Sequence, residues 1–151
     1  MLVLGSGPHL PMARYGAAKF LEFAIPAQAQ CIEEANHLDC FVADAGTRAI
    51  FLAADAASLA RTGELLGPWG ELGVASLVLS ESATEAASTH MPLPRGDLLD
   101  GVLAECLALQ CLVAHGVVVL GRDPDQWLGG RRTELLQSVS ARTIRGSELW
   151  S

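Results

Sequence analysis

The sequence predicts an α/β fold in which helices cover both faces of a parallel sheet, a three-layer α-β-α sandwich. Three short apolar runs alternate with longer segments of helical spacing, in the order β-α-β-α-β. Each run is hydrophobic on both faces, which is typical of strands buried between two helical layers. The chain has 151 residues, 50% of them hydrophobic, and is long enough to bury the core of one such domain.

The first strand is expected at Leu2–Gly5, where the apolar run meets a Gly-Ser-Gly-Pro turn. Helical spacing follows to about Phe23 and stops near Pro26, and residues 27–44 form a second irregular or helical stretch. Ligands of doubly wound sheets bind beyond the carboxyl ends of the strands. The backbone N–H groups of the glycine-rich turn are therefore candidates for receiving an anion.

The second strand is expected at Arg48–Ala54, with Asp55 as the cap of the helix that follows it. That helix should end at the Gly67-Pro-Trp-Gly70 break, after which residues 74–79 supply a third apolar strand. Residues 80–96 are predicted as a loop that contains a short edge strand at residues 91–94. One domain without internal repeats follows from this pattern.

A long helix is predicted from Asp97 to about Leu120, and its length would span a bilayer. It contains Asp100, Glu105, Gln110 and His115, however, and a charged group at mid-membrane costs about 2.5 to 3.5 kcal/mol. We therefore expect a core helix and no membrane association. The N-terminal run lacks the basic region and the long apolar stretch of a signal peptide, so we expect a cytoplasmic protein.

The composition argues against several classes of partner. The net charge of −7 disfavours a nucleic-acid surface, which needs clustered basic groups. Residues 122–151 carry five arginines against four acidic residues, a net +1, while the remainder carries −8. Such a tail is either solvated surface or a place where guanidinium groups reach a small anion. The four cysteines show neither Cys-x-x-Cys nor zinc-finger spacing, so we predict reduced, buried thiols and neither a redox motif nor a structural metal site.

Two short elements carry candidate acid/base chemistry. Lys19 is the only lysine, and Glu22 follows it at a spacing that places both side chains on one helix face. This pair is either an acid/base arrangement or a simple surface salt bridge. In Glu34-x-x-His37, the histidine is a general acid/base, a weak metal ligand or a hydrogen-bonded residue at a helix end.

Common nucleotide and hydrolase motifs are incomplete or missing. The Gly-x-Gly turn lacks the third glycine of a dinucleotide fingerprint, and no acidic residue follows at the required distance. The sequence contains neither a Gly-x-x-x-x-Gly-Lys-Ser/Thr phosphate loop nor a Gly-x-Ser-x-Gly nucleophile elbow. Enzymes built on those motifs are therefore not expected.

The run from Leu4 to Glu22, LGSGPHLPMARYGAAKFLE, followed by Glu34-Ala-Asn-His37, resembles the sugar isomerase (SIS) domain. The resemblance is to the second SIS domain in the isomerase half of glucosamine-6-phosphate synthase. Three later segments occur in the order of that family, namely Met91-Pro-Leu-Pro, Gln110-Cys-Leu-Val-Ala-His115 and Gly121-Arg-Asp-Pro-Asp-Gln126. The resemblance implies a flavodoxin-like sheet at residues 1–121 and a C-terminal tail at 122–151 that packs on the same domain or on a partner subunit.

The resemblance also implies a sugar-phosphate ligand and roles for individual residues. Glu22 would move a proton between C1 and C2 of the opened sugar, with Lys19 as its electrostatic partner. His37 would assist ring opening from the neighbouring subunit of a homodimer, or across the contact with a companion SIS domain. The positions that match ligand contacts are Gly5, Ser6, Gly7, Tyr15, Glu34 and Gln137. No metal or organic cofactor is implied.

This chain departs from the family pattern at three places. Tyr15 stands where the synthase has a glutamate, and Gln137 stands where the family has a lysine in its C-terminal tail. The Ser-x-Ser-Gly-x-Thr loop that binds phosphate in the first SIS domain has no counterpart, since the corresponding strand ends in Leu52-Ala-Ala-Asp55. Three hypotheses remain: a phosphosugar isomerase, a noncatalytic carbohydrate-binding or assembly module, and one half of a split two-domain enzyme.

Overall fold

A computed structural model describes residues 1–84, 87 and 89–122. Its sheet has five parallel strands in the order β2-β1-β3-β4-β5. The strands are β1 (Leu2–Leu4), β2 (Gln28–Gln30), β3 (Arg48–Leu52), β4 (Ala75–Ser80) and β5 (Thr89–Pro92). The helices are α1 (Leu10–Glu22), α2 (Ile32–His37), α3 (Ala56–Glu71) and α4 (Leu98–Val119). The strand order is that of flavodoxin-like sheets, so the predicted α/β fold with a parallel sheet is confirmed.

The helices lie in two layers. Right-handed crossovers from β1 to β2 and from β2 to β3 place α1 and α2 on opposite faces of the sheet. On one face α1 packs on α4, where a Cβ at Gly16 would lie 2.8 Å from the Leu109 side chain. On the other face α2 is joined to α3 by an ion pair between Glu33 and Arg61. These contacts place helices on both faces of the sheet and so confirm the three-layer arrangement that the sequence predicts.

Strand β2 lies inside the stretch that we predicted to be irregular or helical, so that prediction was wrong for residues 28–30, although α2 follows within the same stretch. Its residues, Gln-Ala-Gln, are polar or small, and β2 forms an edge of the sheet. Leu2 of β1 pairs with Gln28, and backbone pairing of this kind needs no apolar run in the sequence. An exposed edge strand leaves no hydrophobic pattern to detect.

Helix α3 runs through the Gly67-Pro-Trp-Gly70 segment, at which we predicted it to break, and continues to Glu71. Pro68 lies inside it, although proline removes a backbone donor from a helix. Trp69 compensates, because it is buried and packs edge-on against Phe51 with ring centroids 5.9 Å apart. The helix ends where Gly73 adopts a φ of 85°, a conformation that favours glycine.

Helix α4 has one buried face and one exposed face along the part that packs on the sheet. Glu105 and Leu109 are fully buried, as a core helix requires. On the other face, four leucines are each more than half exposed, namely Leu98, Leu99, Leu103 and Leu107. Among the described residues this helix alone is long and apolar enough to cross a membrane by length and composition. The buried carboxylate of Glu105 favours packing on the sheet, and the exposed leucines are the feature that a core helix does not explain.

The chain divides into two compact units, residues 1–113 and 114–151. All strands and the contacts described below belong to the first unit. The predicted C-terminal tail is described only at Arg122, and Gln137 lies outside the described residues.

Candidate functional site

A buried histidine lies between two carboxylates at the carboxyl edge of the sheet. His9 Nδ1 lies 2.8 Å from Glu105 Oε2, and His9 Nε2 lies 2.5 Å from Asp55 Oδ2. His9 follows β1 and Asp55 follows β3, so the cluster sits where the strand order reverses and where such sheets form ligand crevices. We did not predict His9 or Glu105 as site residues.

Backbone geometry places His9 in this position. The loop after β1 passes through Gly7, with φ of 54°, into a short 3₁₀ turn at Gly7–His9. The turn folds back on Gly5, where a Cβ would lie 2.7 Å from the His9 carbonyl oxygen. The first glycine of the loop is therefore required for close approach of the backbone, a different role from the anion contact that we predicted.

Asp55 is the N-cap of α3, as predicted. Its Oδ1 accepts hydrogen bonds from the N–H groups of Ala57 (2.8 Å) and Ser58 (3.0 Å). Its Oδ2 accepts from the Ser58 hydroxyl at 2.6 Å and from His9. Glu105 is satisfied in the same way, because its second oxygen accepts the N–H of Ala54 at 3.2 Å.

The geometry favours the charged form of His9. Each ring nitrogen faces a carboxylate oxygen, an arrangement that fits the imidazolium, in which both nitrogens donate. Burial opposes this charge, but the hydrogen bonds to Glu105 and Asp55 outweigh it and raise the pKa of His9 above 6.5. Burial also opposes the charge of Asp55, but the hydrogen bonds from Ser58, His9 and Ala57 lower its pKa to about 2.

This cluster joins three segments of the chain and offers little to a ligand. His9 and Glu105 are fully buried, and each oxygen of Asp55 already accepts two hydrogen bonds. Within residues 1–84, 87 and 89–122, no group of three or more His, Cys, Asp or Glu side chains is arranged to hold a metal ion. The cluster therefore fixes the shape of the carboxyl edge of the sheet and does not itself provide an open site.

The predicted pair of Lys19 and Glu22 forms an ion pair on α1. Lys19 Nζ lies 2.9 Å from both carboxylate oxygens of Glu22, and the two side chains are 35% and 43% exposed. The hydrogen bond to Glu22 raises the pKa of Lys19, so the ammonium stays charged. Tyr15 supports the pair, since Lys19 Nζ lies 5.6 Å from its ring centroid and its hydroxyl accepts a hydrogen bond from Gln110 at 2.7 Å.

The ion pair and the glycine-rich loop lie at opposite ends of the sheet. Because β1 and β2 are parallel, α1 must run back toward the amino ends of the strands. The segment after α1 meets the start of β1, where the amino group of Met1 bonds to the Pro26 carbonyl. At the carboxyl edge, the Gly5 N–H bonds to Gln30 and the Ser6 hydroxyl lies 3.5 Å from the Cys31 sulfur. One subunit thus does not bring the loop to the pair.

Glu34 and His37 lie on α2, in the layer opposite to α1. Both side chains are exposed. In the described part of the chain, no hydrogen bond or ion pair joins Glu22 to His37, and the sheet separates their helices. The residue beside them, Glu33, accepts two 2.6 Å hydrogen bonds from Arg61 of α3, which lower the pKa of Glu33. The two halves of the predicted site are therefore apart within one subunit.

A cavity of about 320 Å³ opens near the amino ends of β3 and β4. Its wall is mostly apolar and includes Phe20 of α1, Ile50, Leu77 and Leu112, with Arg48 among the polar residues. A sugar phosphate presents hydroxyl and phosphate oxygens, for which this wall has few partners. The cavity is therefore a poor candidate for the predicted ligand.

No protein-family model and no curated protein matches the chain. Solved structures do match it. The C-terminal domain of glucosamine-fructose-6-phosphate aminotransferase from Francisella tularensis is 20% identical with a TM-score of 0.65, covering 81% of this chain and 36% of that one. The tagatose-6-phosphate ketose/aldose isomerase of Escherichia coli is 18% identical with a TM-score of 0.70, covering 82% and 36%. A protein of Listeria monocytogenes, provisionally named a sugar-phosphate isomerase, is 13% identical with a TM-score of 0.67, covering 83% and 72%.

This chain thus spans about a third of the first two proteins and nearly three quarters of the third. The similarity extends over about four fifths of the chain. Together with the strand order 2-1-3-4-5, it shows that the chain has the fold of the sugar isomerase domain.

Proposed function

We propose that this chain is a cytoplasmic phosphosugar-binding protein of the SIS family that interconverts aldose and ketose sugar phosphates. Two structures of the same fold are named for aldose-ketose or amino-sugar chemistry, and a third carries the provisional name of a sugar-phosphate isomerase. The sequence from Leu4 to Glu22 matches the family at the helix that carries its acid/base residues. The alternative, a noncatalytic binding or assembly module, predicts binding without turnover.

The ion pair between Lys19 and Glu22 is the observation that carries this proposal. A carboxylate whose two oxygens both lie 2.9 Å from an ammonium is held in one orientation beside a positive charge. In the proposed reaction Glu22 takes the proton from C2 of the open-chain sugar, which leaves an enediolate, and returns that proton to C1. The charge of Lys19 stabilises the enediolate oxygen while it is negative. The proposed reaction needs no redox step and no cofactor.

A second copy of the chain completes the proposed site. Glu22 and His37 lie in opposite layers of one subunit, so His37 can reach a sugar at Glu22 only from another subunit. A two-fold dimer supplies this contact twice, because each subunit offers its Glu22 to the His37 of its partner. His37 then donates to the ring oxygen as the sugar opens. If the protein is a monomer, a companion SIS domain on another chain would supply the second half of the site instead.

The proposal is tested by proton exchange at C2. The wild-type protein is incubated in D2O with glucose 6-phosphate or glucosamine 6-phosphate, both of which carry a hydrogen at C2, and deuterium incorporation at C2 is followed by NMR. Glu22→Gln removes the base but keeps the size of the side chain, so exchange should be abolished while binding of the sugar phosphate persists. Glu71→Gln, an exposed glutamate at the end of α3, is the matched control and should exchange like the wild type.

Each outcome distinguishes the hypotheses. If Glu22→Gln still exchanges the C2 proton, Glu22 is not the base. Wild-type binding without exchange of any hexose or pentose phosphate favours the noncatalytic module. Failure of every sugar phosphate to bind counts against the phosphosugar ligand itself.

A further inference from the structure

The amino end of α3 carries four hydrogen-bond donors that converge on one place. They are the backbone N–H groups of Ala57 and Ser58, the hydroxyl of Ser58 and the Nε2–H of His9. The donor atoms lie 2.5 to 3.0 Å from the carboxylate oxygens of Asp55. We call this set the α3 cradle.

The α3 cradle has the chemistry of an oxyanion site. A helix of 16 residues presents free N–H groups and a partial positive charge at its first turn. A hydroxyl and a buried imidazolium add directed donors and a full positive charge, which is the combination that binds phosphate in proteins. The ring of His9 is fully buried and aimed into the cradle, and Glu105 holds it from behind. In this chain the anion in the cradle is the carboxylate of Asp55.

We propose that Asp55 is an internal substitute for a bound oxyanion and that it closes the α3 cradle to phosphate. Asp55 is then a specificity-determining residue, because it prevents this edge of the sheet from binding the phosphate of a ligand. In the protein proposed above, the phosphate must be bound by residues outside the amino end of α3. That consequence rests on the proposed function, whereas the closure of the cradle does not.

A phosphate cannot share the cradle with Asp55. All four donors are already used, and a second anion would lie beside a carboxylate whose pKa of about 2 keeps it ionised. Removing the carboxylate while keeping the backbone would leave these four donors without an acceptor. Glycine is suited to this purpose, since it is tolerated at the N-cap of a helix with a loss of only a few tenths of a kcal/mol relative to the capping side chains.

The test compares the wild type with Asp55→Gly in inorganic phosphate. Thermal unfolding is followed from 0 to 50 mM phosphate at pH 6, with ionic strength held constant by KCl, and binding is measured directly by calorimetry. Asp55→Gly should be less stable than wild type without phosphate and should gain about 3 °C or more in Tm at saturating phosphate. The wild type should show no more change in phosphate than in chloride.

Two control variants locate the effect. Asp97 caps α4 through N–H groups of Leu99 (2.9 Å) and Asp100 (3.0 Å), but in the described part of the chain no imidazolium bonds to it. Asp97→Gly should therefore lose stability without gaining a response to phosphate. The double variant Asp55→Gly with His9→Gln should bind phosphate at least tenfold more weakly than Asp55→Gly, because the positive charge of His9 is removed.

Two results would overturn the proposal: equal phosphate binding by wild type and Asp55→Gly, or no binding by Asp55→Gly. If Asp55→Gly is unfolded in buffer, the same titration is read by circular dichroism as phosphate-dependent folding. Inorganic phosphate is the only probe in this test, so a negative result does not bear on the proposed proton exchange at Glu22. Equally, absence of exchange at Glu22 leaves the role of Asp55 intact.

Discussion

Glu105 Oε2 lies 2.8 Å from Nδ1 of His9, a residue 96 positions earlier in the chain, and both side chains are fully buried. The contact fastens α4 to the loop between β1 and α1. With Asp55 on the opposite side of the ring, it also joins that loop to the amino end of α3. One imidazolium thus holds together three segments around the carboxyl ends of β1 and β3.

Glu105→Leu should destabilise the protein by about 3 to 5 kcal/mol, because it leaves the buried charge of His9 and the N–H of Ala54 without their acceptor. Glu105→Gln keeps one acceptor oxygen and should cost less, about 1 to 3 kcal/mol. Urea unfolding followed by circular dichroism measures both. Glu71→Gln, on the surface, should remain within about 0.5 kcal/mol of wild type. A Glu105→Leu protein as stable as wild type would show that the cluster adds nothing to stability.

Stability should depend on pH through His9 and Asp55. The pKa of His9 is raised in the folded state, so its contribution is complete below pH 6.5 and is lost as the pH rises through the folded pKa. The pKa of Asp55 is lowered from 3.8 to about 2, so its contribution is present above pH 3.8 and is lost as the pH falls through 2. The cluster therefore stabilises the fold most between about pH 4 and 6.5.

Free energies of unfolding measured in urea from pH 4 to 9 check this dependence. The wild type should lose stability above pH 6.5. His9→Gln should be less stable at pH 6 and should show a flatter profile above it, because glutamine does not titrate. Parallel profiles for the two proteins would assign the loss above pH 6.5 to other groups.

The sequence was sufficient for elements whose pattern is local. The strands β1, β3 and β4 are apolar on both faces, and Asp55 stands at the position of a helix cap, so each could be predicted without knowledge of its neighbours. Strand β2 and the continuation of α3 through Pro68 could not, since backbone pairing at an edge and the burial of Trp69 are tertiary effects. A local sequence pattern therefore predicts the elements that local interactions determine.

The cluster at His9 escaped prediction for the same reason. A histidine after a glycine-rich turn and a glutamate in an apolar helix are unremarkable when taken separately. One signal was present, because a carboxylate inside the apolar run of α4 must either face solvent or be paired with a buried cation. The exposed pair of Lys19 and Glu22, by contrast, was predicted from its spacing alone.

Lys19→Met should reduce turnover much more than stability. The ion pair with Glu22 is exposed, and such pairs contribute about 0 to 1 kcal/mol. In the proposed reaction, however, the ammonium stabilises the enediolate, so kcat for the isomerisation should fall by about 10²-fold or more with little change in KM. Steady-state kinetics and urea unfolding on the same preparation measure the two effects. Arg14→Met, an exposed cation earlier on α1, is the control. Loss of stability in proportion to the loss of kcat would contradict the assignment.

Arg61 should hold α2, and with it His37, in place. Its guanidinium binds both oxygens of Glu33 at 2.6 Å and also binds Glu64 at 2.5 Å. Arg61→Lys keeps the charge but cannot make the two parallel bonds to one carboxylate. Backbone amides of α2 should then exchange with D2O faster by about threefold or more, while those of β3 and β4 keep the wild-type rate. Unchanged exchange in α2 would show that its contact with the sheet suffices.

The exposed leucines of α4 are the surface on which we expect the second copy to dock. Leu99, Leu103 and Leu107 recur every four residues, so they form one continuous ridge, and each is 54 to 65% exposed. The ridge belongs to the helical layer that carries Glu22, and a two-fold contact there would place ridge against ridge, with the His37 of each subunit on the far side of its own sheet. A glutamate at Leu103 would place a charge in the centre of the contact and should weaken dimerisation by about tenfold or more. Leu72→Glu, also at an exposed leucine but after α3, should not.

Light scattering over a range of protein concentrations measures the dimer dissociation constant for the three proteins. Mixing Glu22→Gln with His37→Asn protein should restore part of the exchange, since the mixed dimer keeps one intact pair of residues. Dimerisation that is insensitive to Leu103→Glu would move the interface to another face. A monomer at all concentrations would indicate that a companion domain supplies the second half of the site.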